Sequence, residues 1–432
     1  MSILPGYNWP IKRIKDIGTL RLGKMLSSKA EEGTELKPYL KSKNIGWLSL
    51  NLDSVEDMYF FPEEMQRLRL HKGDLLFSEG GEVGKTAIWE GEIDECYIQN
   101  SVHKLTLSKD NNPRYFMYLS YLLGQTGYYR AIVNLVSIMH LTYEKLRRVE
   151  VPVPPRDVQD RIAKYLDKQI KSINERICLR ERELQALIKL KQSEINSVVT
   201  RGLNPAVPMK DSGIDWMGAI PAHWHIIRLK DVSYLYGGLT GKAGDDFRCD
   251  DVSQTKPFIP FTNILNNTIV DFSNFKQVVM SDGEDQNRVH ENDILFLMSS
   301  EDYESIGKTA IVLGDPGEVY LNSFCRGLRF TNLKEVFPKF VNYLLFSDKY
   351  RDALRFEARG FTRINLKIDK IASLSIALPP MAEQKAIVEY LDGKYERIDA
   401  FIANINAQID KLKLLKKALI NEVVTGQRII AK

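Results

Sequence analysis

The sequence predicts an α+β protein, in which two mixed α/β modules form a pseudo-two-fold repeat separated by a long antiparallel two-helix coiled coil. Three observations predict this class. Residues 154–202 recur near the C-terminus with no gap, Pro155 falling on Pro380 at a shift of 225. Both copies carry helix punctuation and one apolar stripe. The segments ahead of the two copies share short words of their own, so the whole plan is duplicated.

The shift of 225 pairs Gln159 with Gln384, Tyr165-Leu166-Asp167 with Tyr390-Leu391-Asp392, Lys191 with Lys416 and Val198-Val199-Thr200 with Val423-Val424-Thr425. A Pro-Pro stop precedes each copy, an acidic residue lies in the first turn, glycine follows the end, and no proline interrupts. At 1.5 Å per residue, about 45 residues make a rod of roughly 65–70 Å. Ile162, Leu166, Ile170 and Ile173 open one stripe, and Ile387, Leu391, Ile398 and Ile402 open the other. Such a stripe cannot be buried within its own helix, and two helices of equal length and matching stripe cover each other. Separate packing of each helix on its own module is the alternative, and the ungapped register argues against it.

The first module opens on Trp9-Pro10-Ile11-Lys12-Arg13-Ile14, which returns as Trp224-His225-Ile226-Ile227-Arg228-Leu229. Lys72-Gly73-Asp74-Leu75-Leu76-Phe77 is a turn entering a strand, echoed by Glu291-Asn292-Asp293-Ile294-Leu295-Phe296. Gly84-Lys85-Thr86-Ala87 returns as Gly307-Lys308-Thr309-Ala310, and Asn100-Ser101 is matched with Asn322-Ser323. A helix is expected from Pro113 and again from Pro338, and each module closes on an extended apolar segment, 149–153 or 374–378. The stretch 204–213 is punctuated by proline and glycine without helical period and reads as a connector. The expected domains are therefore 1–153, a long helix 154–203, the connector 204–222, a second module 223–378, a second long helix 379–426 and a tail 427–432. Residues 23–43 and 237–256 do not align convincingly, which implies one scaffold with two different surfaces.

Among 432 residues, 44% are apolar and 27% charged, enough for at least two cored domains. The formal charge of +4 permits a nucleic-acid partner without requiring one. Cys96, Cys178, Cys249 and Cys325 are widely spaced, with no CxxC and no histidine at ligand spacing, so no disulfide framework and no metal site is expected. Neither a secretory leader nor a membrane span is expected, which fits a cytoplasmic protein.

Catalytic signatures are missing. Gly80 to Thr86 resembles a phosphate-binding loop, but Glu79 stands where the leading glycine is required, and the second copy has Asp302 there. Asn112-Pro113-Arg114-Tyr115 lacks the second proline of an amino-methyltransferase tetrapeptide, and no nuclease core is present. His223-Trp224-His225 is expected to be structural. What remains is a recognition architecture. Two equivalent modules about a two-fold axis fit a DNA duplex when the helices run antiparallel, and they would reach major-groove segments about 10 base pairs apart. Base edges and phosphates require basic residues on loops. The candidates are Lys24, Lys29, Lys41, Lys43 and Lys85 in the first module, and Lys242, Arg248, Lys256, Lys308, Arg326 and Arg363 in the second.

The openings Leu378-Pro379-Pro380-Met381-Ala382-Glu383-Gln384 and Pro154-Pro155-Arg156-Asp157-Val158-Gln159, the Tyr-Leu-Asp words, the Val-Val-Thr endings and the connector Val207-Pro208-Met209-Lys210-Asp211-Ser212-Gly213 resemble the specificity subunits of type I restriction-modification systems. The resemblance covers the whole chain. It implies two target-recognition domains, each reading half of a bipartite, asymmetric double-stranded DNA site, with the helices setting the spacer. It implies no catalysis in this chain: two methyltransferase subunits and the restriction/translocase subunits would supply S-adenosylmethionine, ATP and Mg chemistry. Docking of those partners would fall on Gln159, Tyr165, Asp167, Gln384, Tyr390 and Asp392. Val158 stands where the second helix has Glu383, so the two docking sites are expected to differ. A coiled-coil scaffold without sequence-specific DNA binding, and an ATP-dependent enzyme built on residues 80–86, are the competing readings.

Overall fold

The computed structural model describes residues 9–133, 140–247, 255–281, 283–428 and 430. It divides into two compact units, one of Met1–Arg182 with Asn406–Lys432 and one of Glu183–Ile405. The helices Arg156–Arg201 and Met381–Val424 each contribute residues to both units.

In the first unit a four-stranded antiparallel sheet has the order Gly18–Leu22, Val102–Leu107, Leu75–Ser78, Thr86–Ile88. A three-stranded sheet places Glu35–Leu40 between antiparallel Glu56–Phe60 and parallel Tyr97–Ile98. The opening strand Ile11–Arg13 pairs with the closing strand Glu150–Pro152, so the module's two ends meet. Leu75, Leu76 and Phe77 are fully buried because their strand is covered on both faces. With a side-chain period of two, Leu75 and Phe77 enter one core while Leu76 enters another under the three-stranded sheet.

The first of these cores also takes the long helices. Ile162, Leu166, Ile170 and Ile173 meet Leu412, Leu419, Val423 and Val424 there, together with the module helix Pro113–Gln125. That helix starts at Pro113 because proline suits the first turn and the Asn112 carboxamide accepts from the amides of Arg114 and Tyr115. Lys416 Nζ donates to Asn174 Oδ1 at 3.0 Å across the two long helices.

The second unit repeats the plan: Ser233–Gly237, Cys325–Phe330, Ile294–Leu297 and Thr309–Ile311 form the larger sheet, and Lys276–Val279, Thr255–Ile259 and Tyr320–Leu321 the smaller. His225–Arg228 closes on Ser375–Leu378. Ile294 and Phe296 face a core shared with Ile195, Val198, Ile387 and Leu391 of the long helices, while Leu295 and Leu297 face the other. Lys191 pairs with Asp399 at 2.7 Å and Lys394 with Glu194 at 2.6 Å, while the Tyr395 hydroxyl donates to the Lys191 carbonyl. Numbers rise on one helix as they fall on the other, so the two run in opposite directions within this unit.

The structure corrects two alignments. Gln99 and Asn322 hold the same place: their amides donate to the carbonyls of Leu40 and Ile259, and their side-chain oxygens accept from the amides of Ser101 and Phe324. Asn100-Ser101 therefore corresponds to Ser323-Phe324, and the match with Asn322-Ser323 was one residue out of register. The segments 23–43 and 237–256, which do not align by sequence, reach a shared strand, Glu35–Leu40 in one module and Thr255–Ile259 in the other. Leu40 pairs with Ile98 as Ile259 pairs with Leu321, which superposes Lys37-Pro38-Tyr39-Leu40 on Lys256-Pro257-Phe258-Ile259. Extra residues in the preceding loop of the second module displaced this word from the earlier register.

The turn before each central strand is built on a buried aspartate. Gly73 and Asn292 are left-handed, with φ of 93° and 69°, a conformation open to glycine and tolerated by asparagine. Asp74 accepts from the His71 amide and Asp293 from the His290 amide, each at 2.8 Å. Asp293, 1% exposed, also accepts from the Tyr236 hydroxyl at 2.6 Å and from the Arg329 guanidinium at 2.9 and 2.7 Å. Removing Asp293 leaves the half-buried Arg329 and the buried Tyr236 hydroxyl without their acceptor. We expect Asp293→Ala to lower unfolding free energy by about 3 kcal/mol, read as a shifted urea midpoint by circular dichroism.

Candidate nucleic-acid interface

Most of the basic candidates are held by carboxylates of their own module. Lys41 and Lys43 both reach Glu56, at 2.6 and 3.0 Å, and their hydrogen bonds, with that of Tyr39, hold the Glu56 carboxyl down at about 2. Lys24 pairs with Glu64 at 2.6 Å and lies over the rings of Phe60 and Phe61. Lys85 meets Glu82 at 3.0 Å and Lys242 meets Glu284 at 2.6 Å. Lys29 is exposed in the loop after Gly18–Leu22, and Arg248 lies outside the described residues.

Lys256 belongs to the scaffold. It pairs with Glu318 at 2.8 Å, which accepts from the Tyr320 hydroxyl, and its superposed residue Lys37 pairs with Glu95 at 2.8 Å, which accepts from Tyr97. The same lysine, glutamate and tyrosine recur in both modules, so the triad ties the smaller sheet together and carries no difference between them. Lys308 is likewise turned inward: its ammonium donates to the Leu265 carbonyl at 3.2 Å, and burial lowers its pKa. The Gly-Lys-Thr words sit at turns entering Thr86–Ile88 and Thr309–Ile311. Gly84 is left-handed, and a Cβ there would lie 2.3 Å from the Tyr129 ring.

Arg326 and Arg363 do come together. They line a cleft of about 470 Å³ in the second module with Ser323, Phe324, Asn365 and Lys367. The Arg326 guanidinium donates to the Ser323 and Cys325 carbonyls, and the Arg363 guanidinium lies 4.5 Å over the Phe324 ring. Phe324 and Lys367 in this cleft, and the exposed apolar pair Met25 and Leu26 near Lys29, are not among the sequence candidates. The signal available was an aromatic or apolar residue next to a basic one in a loop that differs between modules.

The two glutamines expected to dock partners are buried, at 1% and 0% exposure. Gln159 accepts from the Asn112 amide at 2.7 Å and donates to the Pro154 carbonyl at 2.8 Å. Gln384 accepts from the Phe337 amide at 2.8 Å and donates to the carbonyls of Glu335 and Pro379 at 2.8 and 2.9 Å. Each carboxamide thus joins the start of a long helix to the start of a module helix. About two turns further along each long helix, the Tyr-Leu-Asp aspartates also bind the module helix. Asp167 accepts from the Tyr118 hydroxyl at 2.8 Å, and Asp392 from the Tyr343 hydroxyl and Lys339, each at 2.7 Å. Tyr165 packs half-buried on the first core, whereas Tyr390 is 41% exposed and donates to Glu194.

Glu383, the residue that Val158 replaces in the first helix, contacts His223 Nε2 at 2.6 Å and accepts from the Trp224 indole at 3.3 Å. These contacts lie at the entry of the second module. His225 meets Glu335 at 3.2 Å, so each histidine of the cluster faces a carboxylate. Among the described residues no group of three or more His, Cys, Asp and Glu could hold a metal, and no helix is long and apolar enough to cross a membrane. Gln384→Ala should remove the partner of three backbone groups, one buried and two part-buried, and cost about 2–4 kcal/mol of stability, measured by thermal or urea unfolding. A pure docking role would instead weaken assembly and leave the unfolding midpoint unchanged.

Residues 7–179 and 221–411 each match the Type I restriction modification DNA specificity domain. Two similar proteins come from Methanocaldococcus jannaschii. The putative type I restriction enzyme MjaX specificity subunit is 25% identical over 97% of this chain and 93% of its own. The type I restriction enzyme MjaVIII specificity subunit is 22% identical with the same coverage. A chain from a solved type I R-M system covers 99% of this chain and 100% of its own with a TM-score of 0.71 at 15% identity, a likeness of fold. Two modules of one topology, each matched in turn to the same domain, show that this chain belongs to the type I restriction-modification DNA specificity family.

Proposed function

We propose that the chain is the sequence-specific DNA recognition subunit of a type I restriction-modification complex, reading a bipartite, asymmetric site. The observation that carries this is the pairing of identical topology with unlike surfaces. Both modules share the sheet order, the buried aspartate turn and the Lys-Glu-Tyr triad. Yet the basic positions differ: Lys41 and Lys43 fall on Pro260 and Thr262 of the other module, and Arg326 falls on the buried His103. One scaffold with two surfaces suits two different half-sites.

In this proposal the long helices form an antiparallel coiled coil that fixes the distance between half-sites. The Lys191–Asp399 and Lys394–Glu194 pairs in one unit and the shared apolar core in the other support it. Phosphate contacts would come from Lys41 and Lys43, which now pair with Glu56, since an exposed ion pair is weak enough to exchange for a phosphate. Arg326 and Arg363 would approach the bases of the second half-site. The chain itself would be non-catalytic. Two methyltransferase subunits and the restriction/translocase subunits would dock on it, bringing S-adenosylmethionine, ATP and Mg, and the assembly would work in the cytoplasm.

The test is single-molecule methylation sequencing of host DNA with the gene present, deleted or altered. Deletion should remove one bipartite, asymmetric adenine-methylated motif; an unchanged methylome would instead favour a scaffold. Exchanging residues 1–153 for the first module of another family member should change one half-site and keep the other. A change in both would refute the division of labour. Inserting seven residues after Arg182 and after Ile405 preserves the apolar stripes and adds about 10 Å. The spacer should then widen by about 3 base pairs, at about 3.4 Å per pair, with both half-sites unchanged.

A further inference from the structure

In the second module the helix Asp348–Glu357 and the short strand Ile364–Asn365 are joined by a pinned loop. Arg359 and Asn365 exchange backbone hydrogen bonds of 3.0 and 2.8 Å, closing its base. Ala358 and Ile364 are buried beside that base. A Cβ at position 360 would fall 1.9 Å from the Arg363 carbonyl oxygen, so only glycine allows the chain to turn there. The Arg359 guanidinium donates back to the carbonyls of Phe356 and Ala358. Arg363 is braced over the Phe324 ring at 4.5 Å.

At the tip of this closed loop Phe361 is 100% exposed, and Phe356 at its foot is 75% exposed. A large apolar ring at the tip of a loop closed at its base gains nothing in the free state and gains by burial in a complex. The occupant is indicated by charge. Arg359 and Arg363 flank the phenylalanine in sequence, Arg326 and Lys367 line the adjoining cleft, and Asp369 is the carboxylate among the cleft residues. Cations on both sides of a protruding ring suit a polyanion with stackable faces.

We propose that Phe361 is a wedge that stacks against or between bases of the half-site read by the second module, with Arg359 and Arg363 on the flanking phosphates. The inference rests on the DNA-specificity function proposed above and adds to it a residue that deforms the site. Aromatic wedges unstack a base step and thereby select steps that deform easily, so specificity arises without a hydrogen bond to a base edge.

The test uses the complex of the full chain with its own modification subunits and a duplex carrying the motif found by methylation sequencing. 2-Aminopurine is placed at successive positions of the second half-site. Wild type should raise the fluorescence at one step. F361A should abolish that rise and weaken binding about tenfold, with motif methylation lowered accordingly. F361W should restore both readouts, which a general loss of structure would not permit. If F361A binds and brightens the duplex like wild type, the wedge is refuted. If F361A loses its modification subunits on purification, Phe361 faces a protein and the inference is likewise overturned. A wild-type complex that marks no defined motif overturns the specificity function, and the wedge with it, while a wild-type complex that marks its motif leaves F361A to decide the wedge alone.

Discussion

The structure depends on one constraint: a central strand buried on both faces needs two covers. In each module that strand carries a buried apolar run on both faces, Leu75-Leu76-Phe77 in one and Ile294-Leu295-Phe296-Leu297 in the other. The smaller sheet covers one face, and the module helix with both long helices covers the other. The long helices are therefore part of the module cores. The buried glutamines and the Asp-Tyr contacts fix this cover in place, which explains why the repeat keeps Gln159 and Gln384, and Asp167 and Asp392, in one register. The variable surface can then change without disturbing the core, because it grows from the far side and from loops.

The repeat carried most of the fold into the sequence. An apolar stripe, proline stops and glycine ends specify long helices whatever the tertiary context, and Arg156–Arg201 and Met381–Val424 begin and end within two residues of those signals. The opening and closing strands, and the turns entering the central strands, were legible for the same reason. The smaller sheet was not, since its shared Lys-Pro word had been shifted by a longer loop in the second module, and identity at Asn100 and Asn322 drew the alignment one residue off.

The candidate site was far less legible. Composition marks a lysine as charged without saying where its ammonium goes. Lys256 and Lys308 turned out to serve the scaffold, because a carboxylate or carbonyl distant in sequence lies within reach of each. Arg326 and Arg363 are 37 positions apart, and only the fold of the Arg359–Asn365 loop sets them on one cleft. The Val158 and Glu383 difference was visible, but the contacts of Glu383 with His223 and Trp224 at the entry of the second module were not.

The core of the first module has a consequence for biosynthesis. Its strands are made early, within residues 18–107, yet Leu419, Val423 and Val424 are among its fully enclosed side chains. On the ribosome about 300 residues separate the two contributions, so the first module waits for its cover while the second is being synthesised. Such long sequence separation slows folding and leaves part of an apolar core uncovered in the nascent chain, a natural binding site for chaperones during translation.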